Sequence, residues 1–208
     1  MTITELFTDQ AIVAKIQKRL PELFYLAELE SSRAGRVGME VGSVREKILI
    51  ALLIYKFGEQ NVQANLPIHE PEADAIVFGR PISIKTMTGT TFKSVKLIWT
   101  VDTAQAIKFS QQYVPSCDML LVQVNWVNAG GFFLFSQESQ IETLERLGRN
   151  EYIKLPKPGT NPRGVELSAK ALDALSKHSQ TFKFPIRWNR TIREYNPYQR
   201  WLDFWQEE

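Results

Sequence analysis

The feature that most constrains the fold is a strongly apolar stretch at residues 45–57, which Gly58 follows. It is apolar on nearly every side at helical spacing, so we expect a helix that is buried on most of its faces. Glycine at the next position favours ending the helix there. Glu46 lies in line with Leu49 and Leu53, so its carboxylate is expected to point towards the buried layer rather than into water.

A β-hairpin is predicted shortly after this helix. Residues 61–68 alternate well enough for a first strand, and residues 73–78 and 81–86 form two more around Gly79-Arg80. A two-residue loop with glycine first favours a type II′ turn. Such a turn would place Phe78 opposite Pro81.

The same register would give the hairpin one polar face and one apolar face. It places Asp74 directly opposite Lys85, and Ile76 opposite Ser83. Directly paired side chains lie close together on one face, and strand residues two apart share a face. Asp74, Ser83 and Lys85 are therefore expected to form one polar group.

A helix glutamate followed by Asp-(x)8-Ser-x-Lys across a hairpin resembles the PD-(D/E)XK nucleases, above all their type II restriction endonucleases. The resemblance implies an α/β fold with a central mixed β-sheet flanked by helices. It also implies sequence-specific, Mg²⁺-dependent hydrolysis of double-stranded DNA. The chain departs from the family pattern at Ser83, which stands where the pattern has an acid.

The resemblance implies roles for individual residues. Asp74, Glu46 and the backbone carbonyl of Ile84 would hold the metal, and Lys85 would orient or polarise the attacking water. Glu40 is the alternative to Glu46 as the helix carboxylate. Two structural readings compete, because Asp74 and Lys85 could form an ordinary cross-strand ion pair, and Glu46 could form a capping box with Ser43.

Composition limits the classes of function. The chain has 208 residues and a net charge of only +2, so any DNA-binding surface must be local. One cysteine, Cys117, excludes a disulfide framework and a cysteine-based metal cluster, and we expect it to be buried. We predict one nuclease domain over residues 1–208, comprising N-terminal helices and a basic loop (1–45), a catalytic core (46–135), and C-terminal helices with DNA-contacting loops (136–208).

Basic residues in four segments are candidates for DNA contact. Phosphate contacts are expected from a glycine-rich loop (31–44), from the segment after the hairpin (87–102) and from an aromatic-rich tail (181–200), whereas base reading is expected mainly from the loop at 154–164. Simple solvation is the alternative for the first two groups, and packing against a partner is the alternative for the tail. The residues are Arg33, Arg36, Lys93, Lys96, Arg163, Arg187 and Arg190. Arg163 is the main candidate for guanine recognition.

The remaining pattern predicts further helices and strands. Residues 5–30 favour two helices broken near Pro21, and Gly130-Gly131 favours a turn. Gln123 and Asn125 are expected either to satisfy their own hydrogen bonds at a strand end or to border the active cleft. The other elements are helices at 103–113, 138–147 and 168–177 and strands at 118–126 and 132–135.

A palindromic DNA site and a homodimer would match each other by symmetry. No apolar run is long enough to span a membrane, and the N-terminus lacks a signal-peptide pattern, so we expect a cytoplasmic protein. Two alternatives remain open at this point. One is a repair or junction nuclease of the same fold, and the other is a non-catalytic DNA-binding or structural protein with a decayed site.

Overall fold

The computed structural model describes residues 2–33, 36–38, 40–66, 72–155, 164–190 and 195–207. The helices are α1 (Glu5–Thr8), α2 (Gln10–Glu30), α3 (Val41–Phe57), α4 (Thr103–Gln112), α5 (Gln137–Leu147), α6 (Arg149–Tyr152), α7 (Ala169–Ser176) and α8 (Gln199–Gln206). A short 3₁₀ helix covers Glu59–Asn61. In these parts of the chain, no helix is both long and apolar enough to cross a membrane.

The strands form one large sheet and two small ones. They are β1 (Ser32–Arg33), β2 (Arg36–Val37), β3 (Val62–Gln63), β4 (Ala75–Val77), β5 (Arg80–Thr88), β6 (Val95–Ile98), β7 (Asp118–Val124), β8 (Ala129–Phe135), β9 (Ile153–Lys154), β10 (Val165–Leu167) and β11 (Phe182–Arg187). The large sheet has the order β11-β8-β7-β5-β4-β3, and a three-stranded sheet has the order β6-β10-β9. β5 and β7 are parallel, whereas the other neighbours in the large sheet are antiparallel, so the sheet is mixed as predicted.

Apolar cores cover both faces of the large sheet. On one face, α2 and α3 pack on the sheet through residues such as Phe24, Leu49 and Leu53. On the other face, α5, α7 and the small sheet form a second core. β7 contributes Leu120 to the first core and Leu121 to the second, so it is a central strand buried on both sides, as its sequence predicted.

The hairpin register differs from the predicted one. The two turn residues are Phe78 and Gly79, and both have positive φ (52° and 76°), which makes the turn type I′ rather than type II′. β4 and β5 pair Ile76 with Pro81, so the predicted pairings of Asp74 with Lys85, Ile76 with Ser83 and Phe78 with Pro81 were wrong by two residues. Because the shift is even, every side chain stays on its predicted face.

Contacts outside the hairpin explain the choice of turn residue. The Phe78 ring packs edge-on against Phe57 with centroids 5.1 Å apart. The Phe78 N–H donates to the carbonyl of Asn61 at 2.9 Å. These contacts hold a non-glycine residue at positive φ, which local turn rules disfavour.

The N-terminal helices break at Asp9 rather than at Pro21. The Asp9 carboxylate accepts hydrogen bonds from the backbone N–H groups of Ala11 (3.0 Å) and Ile12 (3.3 Å), which caps α2. Pro21 lies inside α2, between the buried residues Leu20 and Phe24. Packing on both sides of the proline therefore keeps the helix continuous, despite the hydrogen bond that proline cannot donate.

Several shorter elements also differ from expectation. β3 is only two residues long, and residues 67 and 68 of its predicted strand lie outside the described chain. Gly130 lies within β8 rather than in a turn, and a Cβ atom there would be 2.1 Å from the Gln123 carbonyl oxygen. The close approach of these two strands therefore favours glycine. The strands of the small β6-β10-β9 sheet were not predicted.

Most of the other predicted elements are present. α3 ends at Phe57, and Gly58 follows it with φ of 85°. α4, α5 and α7 match the predicted helices within one or two residues. Cys117 is buried, as expected.

Candidate active site

Asp74 lies directly before β4 and is the centre of a polar group on the hairpin. Its backbone N–H donates to the Ile82 carbonyl at 2.8 Å, which continues the hairpin beyond β4 and brings Asp74 opposite Ser83. Its Oδ2 atom accepts hydrogen bonds from the Ile84 N–H (2.6 Å), the Lys85 ammonium (2.9 Å) and the Ser83 hydroxyl (3.3 Å). Asp74 and Lys85 are both largely buried. The predicted group of Asp74, Ser83 and Lys85 is therefore brought together.

Glu46 approaches this group from α3. Its side chain is partly buried, and burial raises the pKa of its carboxyl above the usual value. The negative charge of Asp74 raises that pKa further, whereas the positive charge of Lys85 opposes the rise. Glu46 is therefore close enough to interact electrostatically with both hairpin residues.

The helix start excludes the competing capping-box reading of Glu46. α3 begins at Val41, so Ser43 is a helical residue and not the N-cap. Glu40 occupies the N-cap position, makes no side-chain cap and is exposed. Because Glu46 interacts with Asp74 and Lys85, it fits the role of helix carboxylate better than Glu40 does.

Asp74 has one carboxylate oxygen that could contact a cation. Asp74 Oδ1 accepts no hydrogen bond from any residue that the structure describes, since all three donors go to Oδ2. The Lys85 ammonium contacts the Asp74 carboxylate, and its charge also acts on the Glu46 carboxyl. Among the described residues there is no cluster of three or more His, Cys, Asp or Glu side chains of the kind that encloses a metal. Magnesium needs no such cluster, because it retains several waters and accepts carbonyl oxygens.

Glu72 is a further carboxylate close to Asp74 in sequence, and hydrogen bonds within the chain already occupy its oxygens. Glu72 is buried, and it accepts hydrogen bonds from the hydroxyl groups of Tyr113 and Ser116. It also accepts a hydrogen bond from the Ser116 backbone N–H at 2.9 Å. These bonds tie the segment before Asp74 to the loop before β7. Glu72 therefore supports the hairpin rather than completing a metal site.

Sequence reasoning missed a buried charged cluster at the carboxyl end of β5. Glu28 accepts hydrogen bonds from Arg45 (2.6 Å), Trp126 (2.7 Å) and Arg190 (2.9 Å). Arg45 also donates to the Thr88 hydroxyl at 3.0 Å. This cluster joins α2, the first turns of α3 and the end of β5, so it fixes the elements that carry Glu46 and Lys85. No local signal identifies Glu28, which lies within an apolar helix face.

The candidate DNA-contacting residues have varied positions. Arg36, Lys93, Lys96 and Arg187 are exposed. Arg33 ends β1, so the predicted glycine-rich loop contains a small two-stranded hairpin. Arg190 contacts Glu28 and also lies 4.9 Å from the centre of the Trp126 ring. Arg163 lies outside the described residues.

Contacts within the chain bear on two other predictions. One concerns the polar residues Gln123 and Asn125, and the other concerns the aromatic-rich tail. The Gln123 side-chain amide donates to the Gly89 carbonyl (3.2 Å), and that of Asn125 donates to the Ala129 carbonyl (2.9 Å), so both amide N–H groups have partners within the chain. Trp188, from the aromatic-rich tail, is fully buried in the first core. Core packing is therefore the role of this tryptophan.

Comparison with known proteins identifies the family of this chain. A family model described as restriction endonuclease ThaI matches residues 6–207. A solved structure titled "Restriction endonuclease in complex with substrate DNA" is 51% identical, covers 99% of this chain and 99% of its own, and superposes with a TM-score of 0.92. No curated protein sequence gives a significant match. The chain belongs to the ThaI family of restriction endonucleases.

Proposed function

We propose that this restriction endonuclease is a Mg²⁺-dependent enzyme of the PD-(D/E)XK superfamily, with its active site at Asp74, Glu46 and Lys85. The observation that carries the proposal is the contact of Asp74 with Lys85 at the open end of the β4–β5 hairpin, where both charges also act on the Glu46 carboxyl. The substrate is double-stranded DNA, in keeping with the related enzyme that was solved with its substrate DNA.

Each residue has a distinct role in this proposal. Asp74 Oδ1 and Glu46 would hold the metal together with the backbone carbonyl of Ile84. When bound, magnesium supplies positive charge at the scissile phosphate and acidifies water. Lys85, held 2.9 Å from Asp74, orients the attacking water and offsets phosphate charge. Ser83 donates to Asp74 and so helps to fix the direction of its carboxylate.

The DNA contacts are divided between two groups of residues. Arg33, Arg36, Lys93, Lys96, Arg187 and Arg190 contact phosphates, which positions the duplex without reading its sequence. Arg163 reads guanine in the major groove. We further propose a single nuclease domain, a palindromic site and a homodimer, since a two-fold protein presents equivalent active sites to both strands. A DNA substrate is in keeping with a cytoplasmic location.

The test is cleavage by purified Asp74→Ala and Lys85→Ala variants. Both are expected to lose Mg²⁺-dependent DNA cleavage, because the first lacks the metal ligand and the second lacks the group that orients water. DNA binding by Lys85→Ala should survive or weaken only modestly. Lys170→Ala is a matched control, since Lys170 also forms an ion pair, with Glu151 at 3.1 Å, on an exposed surface. Wild-type cleavage rates in a folded Asp74→Ala or Lys85→Ala variant would refute the assignment.

A further inference from the structure

The C-terminal helix α8 presents an apolar surface that the described part of its own chain leaves exposed. None of its residues is buried, and its exposed side chains include Trp201, Leu202, Phe204 and Trp205, the last of which is 88% exposed. A helix of eight residues is marginal in water without tertiary support. The amphipathic sequence of α8 is therefore expected to find a partner surface.

A matching surface lies between α2 and α3. An apolar groove of about 420 Å³ runs between these helices. Its apolar lining includes Ile16, Leu20, Leu23, Ile48 and Leu52, and Lys15 and Arg19 are also part of it. Leu23 and Tyr55 of this groove are themselves exposed, at 42% and 61%. The groove thus offers aliphatic surface to aromatic side chains.

The charges at the groove and on the helix are complementary. Lys15 and Arg19 are spaced i, i+4 along α2, and Asp203 and Glu207 have the same spacing at α8. Arg19 contacts Glu22 at 2.9 Å but remains 61% exposed, so it is open to a second carboxylate. The single cation of α8, Arg200, lies over the ring of its own neighbour Trp201 at 4.6 Å.

We propose that two copies of this chain exchange their C-terminal helices, so that α8 of each copy packs in the α2–α3 groove of the other. In this chain the segment leading into α8 lies against Glu30, at the C-terminal end of α2. The groove lies nearer the middle of that helix, at positions 15–23. The proposal rests on the homodimer of the proposed function and assigns its interface.

The area is sufficient for a stable dimer. A covered aromatic side chain buries roughly 150–250 Å², so three partly exposed aromatics on each of two helices would bury on the order of 800 Å². The two grooves would bury a similar area. The total is close to the roughly 1,600 Å² of a standard specific interface.

The experiment uses the full-length protein and two kinds of variant. The helix variant is Trp201→Ala/Trp205→Ala, and the groove variant is Ala51→Arg, at an exposed groove position that should tolerate arginine. Trp99→Ala is the control, since Trp99 is 68% exposed and lies outside both surfaces. Mass in solution is measured by sedimentation without DNA, and circular dichroism establishes that each variant is folded.

Reciprocal exchange predicts a distinctive pattern. Wild type and the control should be dimers, and each variant alone should dissociate with a Kd at least tenfold higher. An equimolar mixture of the two variants should recover a heterodimer, because the intact helix of the groove variant can occupy the intact groove of the helix variant. A monomeric wild type, variants that remain dimeric, or a mixture that stays monomeric would each overturn the proposal.

The outcome is separable from the catalytic proposal. The variants keep Asp74, Glu46 and Lys85, so they are expected to retain single-strand nicking of plasmid at high protein concentration, while double-strand cleavage falls with the dimer. Wild type that forms the predicted dimer but fails to cleave DNA with Mg²⁺ would refute the proposed catalysis and leave the exchanged interface standing.

Discussion

At Asp74, one carboxylate oxygen accepts three hydrogen bonds, from a backbone N–H, an ammonium and a hydroxyl. These donors fix the direction of the carboxylate and leave the second oxygen available to a cation. The hydroxyl belongs to Ser83, which is fully buried. The weak position in this arrangement is therefore the neutral Ser83, since a hydroxyl adds no negative charge for a metal.

Replacing Ser83 should have a graded effect. Ser83→Ala removes a hydrogen bond worth roughly 0.5–1.5 kcal/mol, so we expect cleavage to persist at a higher Mg²⁺ requirement, changed by less than about tenfold. Asp74→Ala should leave no cleavage. Rates measured against Mg²⁺ concentration compare the two variants. A folded Ser83→Ala protein as inactive as Asp74→Ala would mean that the hydroxyl has an essential catalytic role.

Ser83→Asp tests the same position in the opposite direction. It restores the acid of the wider family and should tighten metal binding. Because the position is fully buried and 3.3 Å from Asp74, the second carboxylate should also destabilise the metal-free protein. Thermal unfolding with and without Mg²⁺ should show a larger metal-induced rise in Tm than in wild type. An equal rise in both proteins would contradict this account.

Glu46 gives a pH-dependent prediction. Burial and the Asp74 charge raise its folded pKa above the usual 4.5, so the folded protein binds more protons than the unfolded chain in that range. Stability of the metal-free enzyme should therefore fall as pH rises from about 4.5 through the raised pKa. The Glu46→Gln substitution removes this pH-dependent loss of stability.

Thermal unfolding of metal-free protein across pH measures the effect. Metal-free Glu46→Gln should be more stable than wild type at neutral pH, and the difference should shrink below about pH 4.5. Its stabilisation by Mg²⁺ should be smaller, because one carboxylate ligand is absent. A neutral-pH Tm below that of wild type would show that Glu46 carries no electrostatic cost.

At the scale of elements, the β4–β5 hairpin shows how far sequence patterns reach. The alternation of polar and apolar residues predicted the polar face correctly. Side chains in a strand alternate between its two faces, so a register shift of two residues leaves each side chain on the same face. The register itself was wrong, because Phe78 enters the turn through contacts with Phe57 and Asn61, which no local rule contains. In the observed register, Ser83 rather than Lys85 lies directly opposite Asp74, and the Ser83–Asp74 hydrogen bond follows from this pairing.

The Glu28 cluster lay beyond sequence analysis for the same reason. Its members Glu28, Arg45, Trp126 and Arg190 come from four separate segments, so only the packed fold brings them together. Likewise, packing of Leu20 and Phe24 keeps α2 helical through Pro21. Element type was predictable for long patterned segments, whereas partners distant in sequence were not.

Glu28 also supports a stability prediction. Glu28→Gln keeps the side-chain shape but leaves the buried Arg45 guanidinium without its counter-charge, and breaking such a pair typically costs ~3–5 kcal/mol. Burial already lowers the pKa of Arg45, and Glu28 opposes that effect. Denaturant unfolding measures the loss.

The control for this variant is Asp173→Asn, which removes an exposed i, i+4 ion pair with Lys177. We expect that change to cost no more than about 0.5 kcal/mol. Similar losses in the two variants would mean that the Glu28 cluster does not hold the elements together.

For the whole molecule, the mixed sheet, its two apolar cores and the Glu28 cluster position the start of α3 against the β4–β5 hairpin. This arrangement brings two carboxylates and a lysine together, although they are spread over 40 residues of the chain, from Glu46 to Lys85. We expect this site to cleave DNA at one defined sequence with Mg²⁺ as cofactor.

The most direct measurement is a digest of DNA of known sequence by the purified enzyme, with and without Mg²⁺. We predict discrete fragments whose ends all map to one short palindromic sequence, and intact DNA when Mg²⁺ is removed with a chelator. Intact DNA in the presence of Mg²⁺, or a continuous smear of fragments without a common end sequence, would contradict this prediction.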